Sequence, residues 1–325
     1  MAVDRLYTST RAVQDSDKHQ QWKAYEDVMR LEYPGTEEMV GAQLWGASTF
    51  EKRGLHNEVL IHTGLLGSAV KLGRDLRTMP PMADYSTIDY IRADYEIYGI
   101  GFEYYEQELG DMLYPEIIMS KVGELPMLLA DTEEDEHLAP YNNGETTFVG
   151  GLFNTPLFVD GSTDFLQIIG RQGVNYGSNI ISNAGGPSYH LISLLEQYGY
   201  NFINEEGRIS PLKVDRIVCS HRNKKILDGL LGASYNLESG NAAVPNPVDG
   251  SIEVIASNRL SNANDMFVFY EGWMDDMKDH EDFRGQPDTD QDGILTERRT
   301  IHIIRSRFSK FFINNRRVLK VKGVS

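Results

Sequence analysis

The stretch Tyr98-Gly99-Ile100-Gly101-Phe102-Glu103 leads into the longest helical pattern of the sequence. After it, apolar residues recur at three- and four-residue steps, at Leu109, Leu113, Ile117, Ile118, Val122, Leu125 and Leu129. This spacing predicts a long amphipathic helix from about Glu108 to Glu136. Gly123 and Pro126 lie inside it. Because proline removes a helical hydrogen bond and clashes one turn back, we expect a bend near Val122.

Residues 186–232 carry two shorter helix patterns around one strand. Gly186-Pro187-Ser188 begins the first helix, whose apolar stripe consists of Leu191, Leu194, Leu195, Tyr198 and Phe202. The apolar run Val214–Cys219 predicts a buried strand, and Ser220 after it is a good N-cap. The next helix is expected to end near Gly232 and to pack through Ile226, Leu227, Leu230 and Leu231.

The rest of the chain is expected to be extended apart from one short helix. Residues 1–19 are polar, and the residues after them have apolar side chains at helical spacing, at Trp22, Tyr25, Val28 and Met29. Residues 41–91 hold short apolar pieces between glycines, which predicts a β-hairpin or loop without a core of its own. Strands are expected over 252–256, 266–270 and 300–321, with a polar acidic loop from Asp275 to Asp292.

The composition of the 325-residue chain is that of a folded protein, with 41% hydrophobic and 24% charged residues. No apolar run is long enough to span a membrane, and residues 1–11 lack the apolar core of a secretory signal, so we expect a cytoplasmic product without a membrane partner. Cys219 is the single cysteine, which excludes an intrachain disulfide and favours a buried position. The net charge of −17 opposes sequence-independent binding of DNA, although it does not oppose enclosing DNA.

Charge is segregated near the end of the chain. Residues 271–297 hold ten acids and two bases, whereas residues 298–325 hold nine bases and no acid. Two interpretations stay open: two solvated faces, or a self-complementary contact between neighbouring copies of the chain.

The sequence contains one fragment of a metal-binding motif. Asp288, Asp290 and Asp292, followed by Gly293, match positions one, three, five and six of a calcium loop. Position twelve is Arg299 in place of the bidentate glutamate, so the alternatives are a calcium site and a plain acidic turn. The sequence has no nucleophile elbow, phosphate-binding loop or zinc motif, and no other cofactor is expected.

The order of these elements, with four local sequences, resembles the major capsid proteins of tailed bacteriophages, whose shared fold is called Hong Kong ninety-seven. The first of the four is residues 98–103 with the long helix after them, which is similar to the start of the family's spine helix, particularly in the Mu-like branch. The others are the helix of residues 191–200, the strand and capped helix from Val214 through Ser220, and the ending from Arg299 to Lys320.

The resemblance implies an α+β fold in which each region has a named role. Residues 1–35 would be an N-arm, 36–95 an E-loop that reaches over neighbours, and 96–150 a P-domain with the long spine helix. Residues 151–284 would be an A-domain, with a P-domain helix near 188–203, and 285–325 would be closing strands of the P-domain.

The resemblance also implies a structural protein and not an enzyme. The chain would self-assemble into hexamers and pentamers of an icosahedral phage head that encloses double-stranded DNA without sequence-specific binding. Expected partners are further copies of the chain and portal, scaffolding and cement or decoration proteins. The expected location is the virion, and the host cytoplasm during assembly. The alternatives are an encapsulin-like bacterial nanocompartment shell protein and a calcium-dependent binding module.

Overall fold

The computed structural model of the chain describes residues 22–35, 38–47, 52–53, 56–61, 65–66, 84–85, 89–105, 115–145, 156–158, 179–183, 185–202, 209–233, 252–292, 299–312, 315 and 317–323. The helices are α1 (22–32), α2 (Pro115–Asn143), α3 (Tyr189–Tyr200), α4 (His221–Leu231) and the short α5 (Trp273–Asp276). None of the described helices is both long and apolar enough to cross a membrane.

The first strands along the chain are β1 (Gly46–Ala47), β2 (Lys52–Arg53), β3 (His56–Ile61), β4 (Leu65–Leu66), β5 (Asp84–Tyr85), β6 (Asp89–Asp94) and β7 (Glu96–Tyr105). The later ones are β8 (Ile180–Asn183), β9 (Val214–Cys219), β10 (Glu253–Ala256), β11 (Met266–Tyr270), β12 (Met277–Asp292), β13 (Arg299–Phe312) and β14 (Val318–Gly323). The chain divides into two compact units. The first consists of residues 1–43, 95–137 and 280–309, and the second of the remainder.

The first unit has its core where α1, α2 and two strands meet. β7 pairs antiparallel with β13 from Arg299 opposite Tyr105 to Phe308 opposite Glu96. The buried side chains of this core are Tyr25, Met29, Tyr104, Ile118, Val122, Leu125, Leu129 and Ile304. Four of them lie on α2 at three- and four-residue steps, which is the spacing that puts side chains on one helical face.

The second unit is built on a five-stranded mixed sheet with the order β10-β9-β11-β14-β8. Side chains alternate between its faces, so Val268 and Tyr270 join one apolar layer while Phe267 and Phe269 join the other. The first layer includes α3 and α4. The second includes Tyr141 at the end of α2 and Trp273 of α5. Because both of its faces are covered, β11 is buried at every position.

The helices and strands predicted over residues 186–232 are confirmed. The Ser188 hydroxyl accepts a hydrogen bond from the Leu191 amide at 3.1 Å, and the Ser220 hydroxyl accepts one from the Asn223 amide. β9 has the predicted bounds and Cys219 is buried, which raises the pKa of its thiol to about 12. Two expectations are wrong. Phe202 lies beyond α3, which ends at Tyr200, and Ile226 is 40% exposed, since α4 packs through Leu227 and Leu230.

The acidic loop expected from Asp275 to Asp292 is also a wrong prediction. Residues 277–292 form β12, the neighbour of β13 in the sheet order β1-β12-β13-β7. A run of charged residues is typical of a loop in an isolated sequence. Here the charges find partners on the adjacent strand, with Asp282 beside Arg307 at 3.1 Å.

The structure also describes part of the glycine-rich segment and most of the long helix. β3 pairs antiparallel with β6 over six residues, so the segment contains paired strands as expected of an extended hairpin. The lack of a core of its own stays a prediction. α2 is continuous through Gly123 and Pro126. The bend near Val122 stays a prediction, and Leu109 and Leu113 lie outside the described residues.

Replacing Gly199 with alanine is expected to destabilise the second unit by about 1–3 kcal/mol. A Cβ at Gly199 in α3 would overlap the carbonyl oxygen of Leu212 and lie 2.9 Å from the Tyr270 ring. Urea unfolding measures the effect. Gly229→Ala in α4 is the matched control, because no atom lies within 4 Å of the added carbon and alanine favours the helix by up to about 1 kcal/mol. Equal midpoints for the two variants would contradict the overlap.

Candidate functional site

Exposed apolar side chains of α1 and α2 form one surface of the first unit. Leu31 is 82% exposed and Met127 is 58% exposed. The two helices border a groove of about 670 Å³, which we call the α1–α2 groove. It is lined by Val28, Glu32, Met119, Ser120, Gly123, Glu124, Met127 and Leu128. Methionine adapts to irregular partner surfaces, so this lining suits a protein contact.

This surface exists because α2 has two apolar faces. Ile118, Val122, Leu125 and Leu129 point into the core, while Met119, Met127 and Leu128 lie on the exposed side. Ile117, which the periodicity assigned to the buried stripe, is about half exposed. The apolar periodicity of α2 did not predict the groove, although Met119 and Met127 beside the stripe were an available signal. Contiguous exposed apolar side chains of this kind mark interaction surfaces.

Glutamates at the edge of the groove add negative charge to it. Glu32 and Glu124 both line it, and the Lys121 ammonium lies 2.9 Å from Glu124 in an exposed ion pair. Such a pair contributes at most about 1 kcal/mol to stability.

Some of the segregated charges at residues 271–325 form ion pairs within the chain. Arg305 contacts Asp288 and Arg307 contacts Asp282 between β13 and β12. Arg317 contacts Asp276 at 3.5 Å and donates a hydrogen bond to the carbonyl oxygen of Gly272. These three pairs join the acidic stretch to the basic stretch within one chain, which neither sequence interpretation included. A contact between neighbouring copies stays a prediction. Arg316 lies outside the described residues.

A buried polar network joins four side chains of the first unit. The Tyr33 hydroxyl donates to the Glu133 carboxylate at 2.6 Å, and the Arg284 guanidinium lies 3.9 Å from the same oxygen. Arg284 also donates a hydrogen bond to Nε2 of His137 at 3.0 Å. Nε2 is therefore the acceptor nitrogen, and the ring proton is on Nδ1. Nδ1 donates to the backbone carbonyl of Glu133 at 2.7 Å. Burial, followed by the charge of Glu133, raises the pKa of Tyr33 well above its ordinary value.

A second buried histidine lies among aromatic rings in the same unit. His302 contacts Tyr25 edge-on with ring centroids 5.0 Å apart, and Nδ1 lies 3.1 Å from the Thr289 hydroxyl. Burial lowers the pKa of His302 to about 4, so the ring is neutral at pH 7. His302 is fully buried, so a substrate at the surface could not reach it.

The predicted calcium ligands lie on a strand. Asp288, Asp290 and Asp292 fall on alternate positions of β12, and Asp288 contacts Arg305. Gly293 and Glu297, which would complete the loop, lie outside the described residues. Among the residues that the structure describes, no three acidic, histidine or cysteine side chains are close enough to hold a metal ion. Calcium binding stays a prediction.

Comparisons with known proteins give matches among solved structures. No family model and no curated protein matches the chain. A solved chain of Mycobacterium phage Patience matches it with a TM-score of 0.54 and 10% identity, over 94% of this chain and 88% of that chain. A match at this score over nearly the whole of both chains indicates a shared fold. The chain has the Hong Kong ninety-seven fold.

Weaker structural matches carry names of other particles. The capsid of a native GTA particle matches with a TM-score of 0.48 and 12% identity, over 87% of this chain and 89% of that one. A virus-like particle from Pyrococcus furiosus matches with a TM-score of 0.47 and 9% identity, over 93% and 99%.

The α+β Hong Kong ninety-seven architecture expected from the sequence is therefore confirmed. α2 is its long helix. The assignment of residues 1–35, 36–95, 96–150, 151–284 and 285–325 to an N-arm, E-loop, P-domain, A-domain and closing strands stays a prediction.

Proposed function

We propose that this chain is a non-enzymatic shell subunit, the major capsid protein of a tailed phage, which self-assembles into hexamers and pentamers around double-stranded DNA. The Hong Kong ninety-seven fold is the observation that carries the proposal. The Mu-like branch rests on residues 98–103 with the long helix after them. Portal, scaffolding and decoration proteins are the further partners that this function requires.

The α1–α2 groove supports self-assembly through a surface that a second copy covers. Its side chains are apolar and exposed, and in a closed shell every copy presents the same surface to a neighbour. The predicted E-loop is a suitable part of that neighbour, because an isolated antiparallel pair of strands such as β3 and β6 is marginally stable.

The net charge supports a container and not a nucleic-acid-binding coat. At −17 the chain repels phosphate on average, so packaged DNA would be held by the closed wall and not by tight contacts. A nanocompartment with the same fold would hold protein cargo instead.

Electron microscopy of the purified chain, alone and from infected or induced cells, tests the proposal. We expect closed icosahedral shells, and nuclease-protected DNA inside those from cells. Shells that protect a protein cargo and no DNA would favour the nanocompartment, and a chain that stays monomeric at every concentration and with its neighbouring gene products would overturn the shell function.

Met127→Glu combined with Leu128→Glu is expected to raise the subunit concentration needed for assembly about tenfold or more, because charge would be buried in the contact. Light scattering against protein concentration measures this, and circular dichroism checks that the subunit stays folded. Ile226→Glu is the control, since Ile226 is an exposed apolar residue on α4, outside the groove. Assembly of the double variant at the wild-type concentration would remove the groove from the interface.

A further inference from the structure

A lysine with two carboxylates lies almost fully buried in the second unit. The Lys320 side chain is 5% exposed, and its ammonium lies 2.9 Å from Oε1 of Glu145 and 3.3 Å from Oδ2 of Asp265. Asp265 is 8% exposed and Glu145 is 26% exposed. Lysine is rarely buried to this degree, and removing three charges from water is costly.

Aromatic rings provide the apolar surroundings of the lysine. The Lys320 ammonium is 5.6 Å from the ring centre of Phe267 and 5.9 Å from that of Phe158. These two rings stack on each other and are fully buried. The two rings keep water away from the Lys320 ammonium, which favours the loss of water from a reacting pair.

The Asp265 carboxyl group is held by its other oxygen. Oδ1 accepts hydrogen bonds from the side-chain amide of Asn262 at 2.9 Å and from the backbone amide of Gly323 at 3.1 Å. The backbone at Gly323 comes so close to Asn264 that a Cβ there would overlap it. Two donors on one oxygen polarise the carboxyl carbon and stabilise negative charge that develops on that oxygen during nucleophilic attack. Oδ2 faces the lysine.

We propose that Lys320 and Asp265 form an intramolecular isopeptide bond, with Glu145 as the group that moves the protons. Nζ of Lys320 attacks Cγ of Asp265, the new N–C bond forms, and the bond from Cγ to Oδ2 breaks. Oδ2 departs as water with two protons that the ammonium gives up, one of them through the Glu145 carboxylate. One ammonium and one carboxylate become one amide and one water, so atoms and charge balance without an oxidant, reductant or cofactor.

Glu145 is suited to this role before and after the reaction. Burial alone would raise its pKa, but hydrogen bonds from Lys322 and Lys320 outweigh that effect and lower the pKa, so the group begins as a carboxylate able to accept a proton. Lys322 also contacts Glu145 and is partly exposed. Glu145 therefore keeps a cationic partner when Lys320 becomes neutral, and the product contains no unpaired buried charge.

The fold places the reactants before they react. Lys320 on β14 is opposite Phe267 on β11, and Asp265 immediately precedes β11. The Lys320 amide also donates to the carbonyl of Asn179 at 2.9 Å. Groups held in this way reach effective concentrations of about 10⁵–10⁸ M, which drives a condensation that water would otherwise reverse. The bond would join two neighbouring strands within one chain and goes beyond shell formation.

Intact mass spectrometry of the denatured full-length protein tests the proposal. We expect a mass lower than that of the unmodified chain by one water, and a tryptic product that joins residues 260–278 to residues 318–322. The wild-type mass with no loss of water, in the unassembled subunit and in shells alike, would mean an ion pair only and would overturn the proposal. The measurement is made on the denatured chain, so its outcome does not depend on whether shells form.

Three variants separate this bond from other losses of water. Lys320→Arg keeps the positive charge but cannot form the amide, so the mass should return to the unmodified value. A succinimide at Asp265 would survive this change. Glu145→Gln keeps the size of the side chain but cannot accept the proton, and we expect bond formation at least about 100-fold slower after refolding. Asp265→Asn would lose ammonia instead of water if it reacts. Linkage in Lys320→Arg, or wild-type rates in Glu145→Gln, would contradict the assigned chemistry.

Discussion

Replacing Arg284 with methionine is expected to lower the free energy of unfolding of the first unit by about 3–5 kcal/mol, which is the largest single effect among our predictions. Glu133 is fully buried. Among the residues that the structure describes, its cationic partner is Arg284, whose guanidinium lies 3.9 Å from the carboxylate. Methionine preserves the aliphatic stem but leaves the carboxylate with the Tyr33 hydroxyl at 2.6 Å and no positive charge. The same change removes the donor to His137.

Urea unfolding followed by tryptophan fluorescence measures this effect, and two controls define its origin. The double variant Arg284→Met with Glu133→Leu removes both charges and should recover most of the loss. Arg299→Met breaks an exposed pair with Glu103 and should cost about 1 kcal/mol or less. If Arg284→Met and Arg299→Met had equal effects, burial would not be the reason for the strength of the first pair.

Acid is expected to destabilise the first unit through His302 by up to about 3 kcal/mol between pH 6.5 and pH 4. Burial lowers the pKa of this imidazole in the folded chain from the ordinary 6.5 to about 4. Over that window the unfolded chain binds a proton that the folded chain does not bind. The contribution of the neutral imidazole to stability is therefore complete above pH 6.5 and decreases as the pH falls towards 4.

The unfolding free energy is measured against pH for the wild-type protein and for His302→Phe. Comparing the two separates the effect of His302 from the effect of titrating carboxylates. Phenylalanine retains a ring against Tyr25 and Tyr104 but binds no proton. The difference in unfolding free energy between the two proteins should therefore shift in favour of the variant as the pH falls. His190→Phe on the exposed side of α3 is the control and should leave the profile unchanged. A constant difference from pH 7 to pH 4 would contradict a neutral, buried His302.

The local sequence pattern was sufficient to predict a helix or strand wherever that element is stabilised by its own residues. β9 has the bounds read from its apolar run, and Ser188 and Ser220 cap the helices that follow them. Both signals act over a few residues: a hydroxyl at an N-cap satisfies amides two or three positions later, and a buried strand between two apolar layers is apolar throughout. The order of these elements, together with four local sequences, resembles the capsid-protein family, and that resemblance indicated the Hong Kong ninety-seven fold.

The predictions that failed depended on partners far along the chain. β12 has the composition of an acidic loop, and it is a strand because β13 lies beside it and supplies Arg305 and Arg307. Ile117 matches the buried stripe of α2 but lies on a face that the first unit leaves open. Periodicity reports that a helix has an apolar face, but it does not report which neighbour, or which other copy of the chain, covers that face.

By itself, the sequence determined the fold class, the order of elements, the buried cysteine and the absence of recognisable catalytic motifs, because each of these depends on composition or on residues close together in the chain. Only the tertiary structure decided that three acids of 271–297 pair with arginines of 298–325 and that α1 and α2 present an apolar groove. It also decided that Glu145, Asp265 and Lys320 meet around two phenylalanine rings. Those three residues are separated by more than fifty positions at each step, and no local signal connects them. The pairing of β11 with β14 brings Asp265 and Lys320 within 3.3 Å, since backbone hydrogen bonds set strand register without regard to distance in sequence.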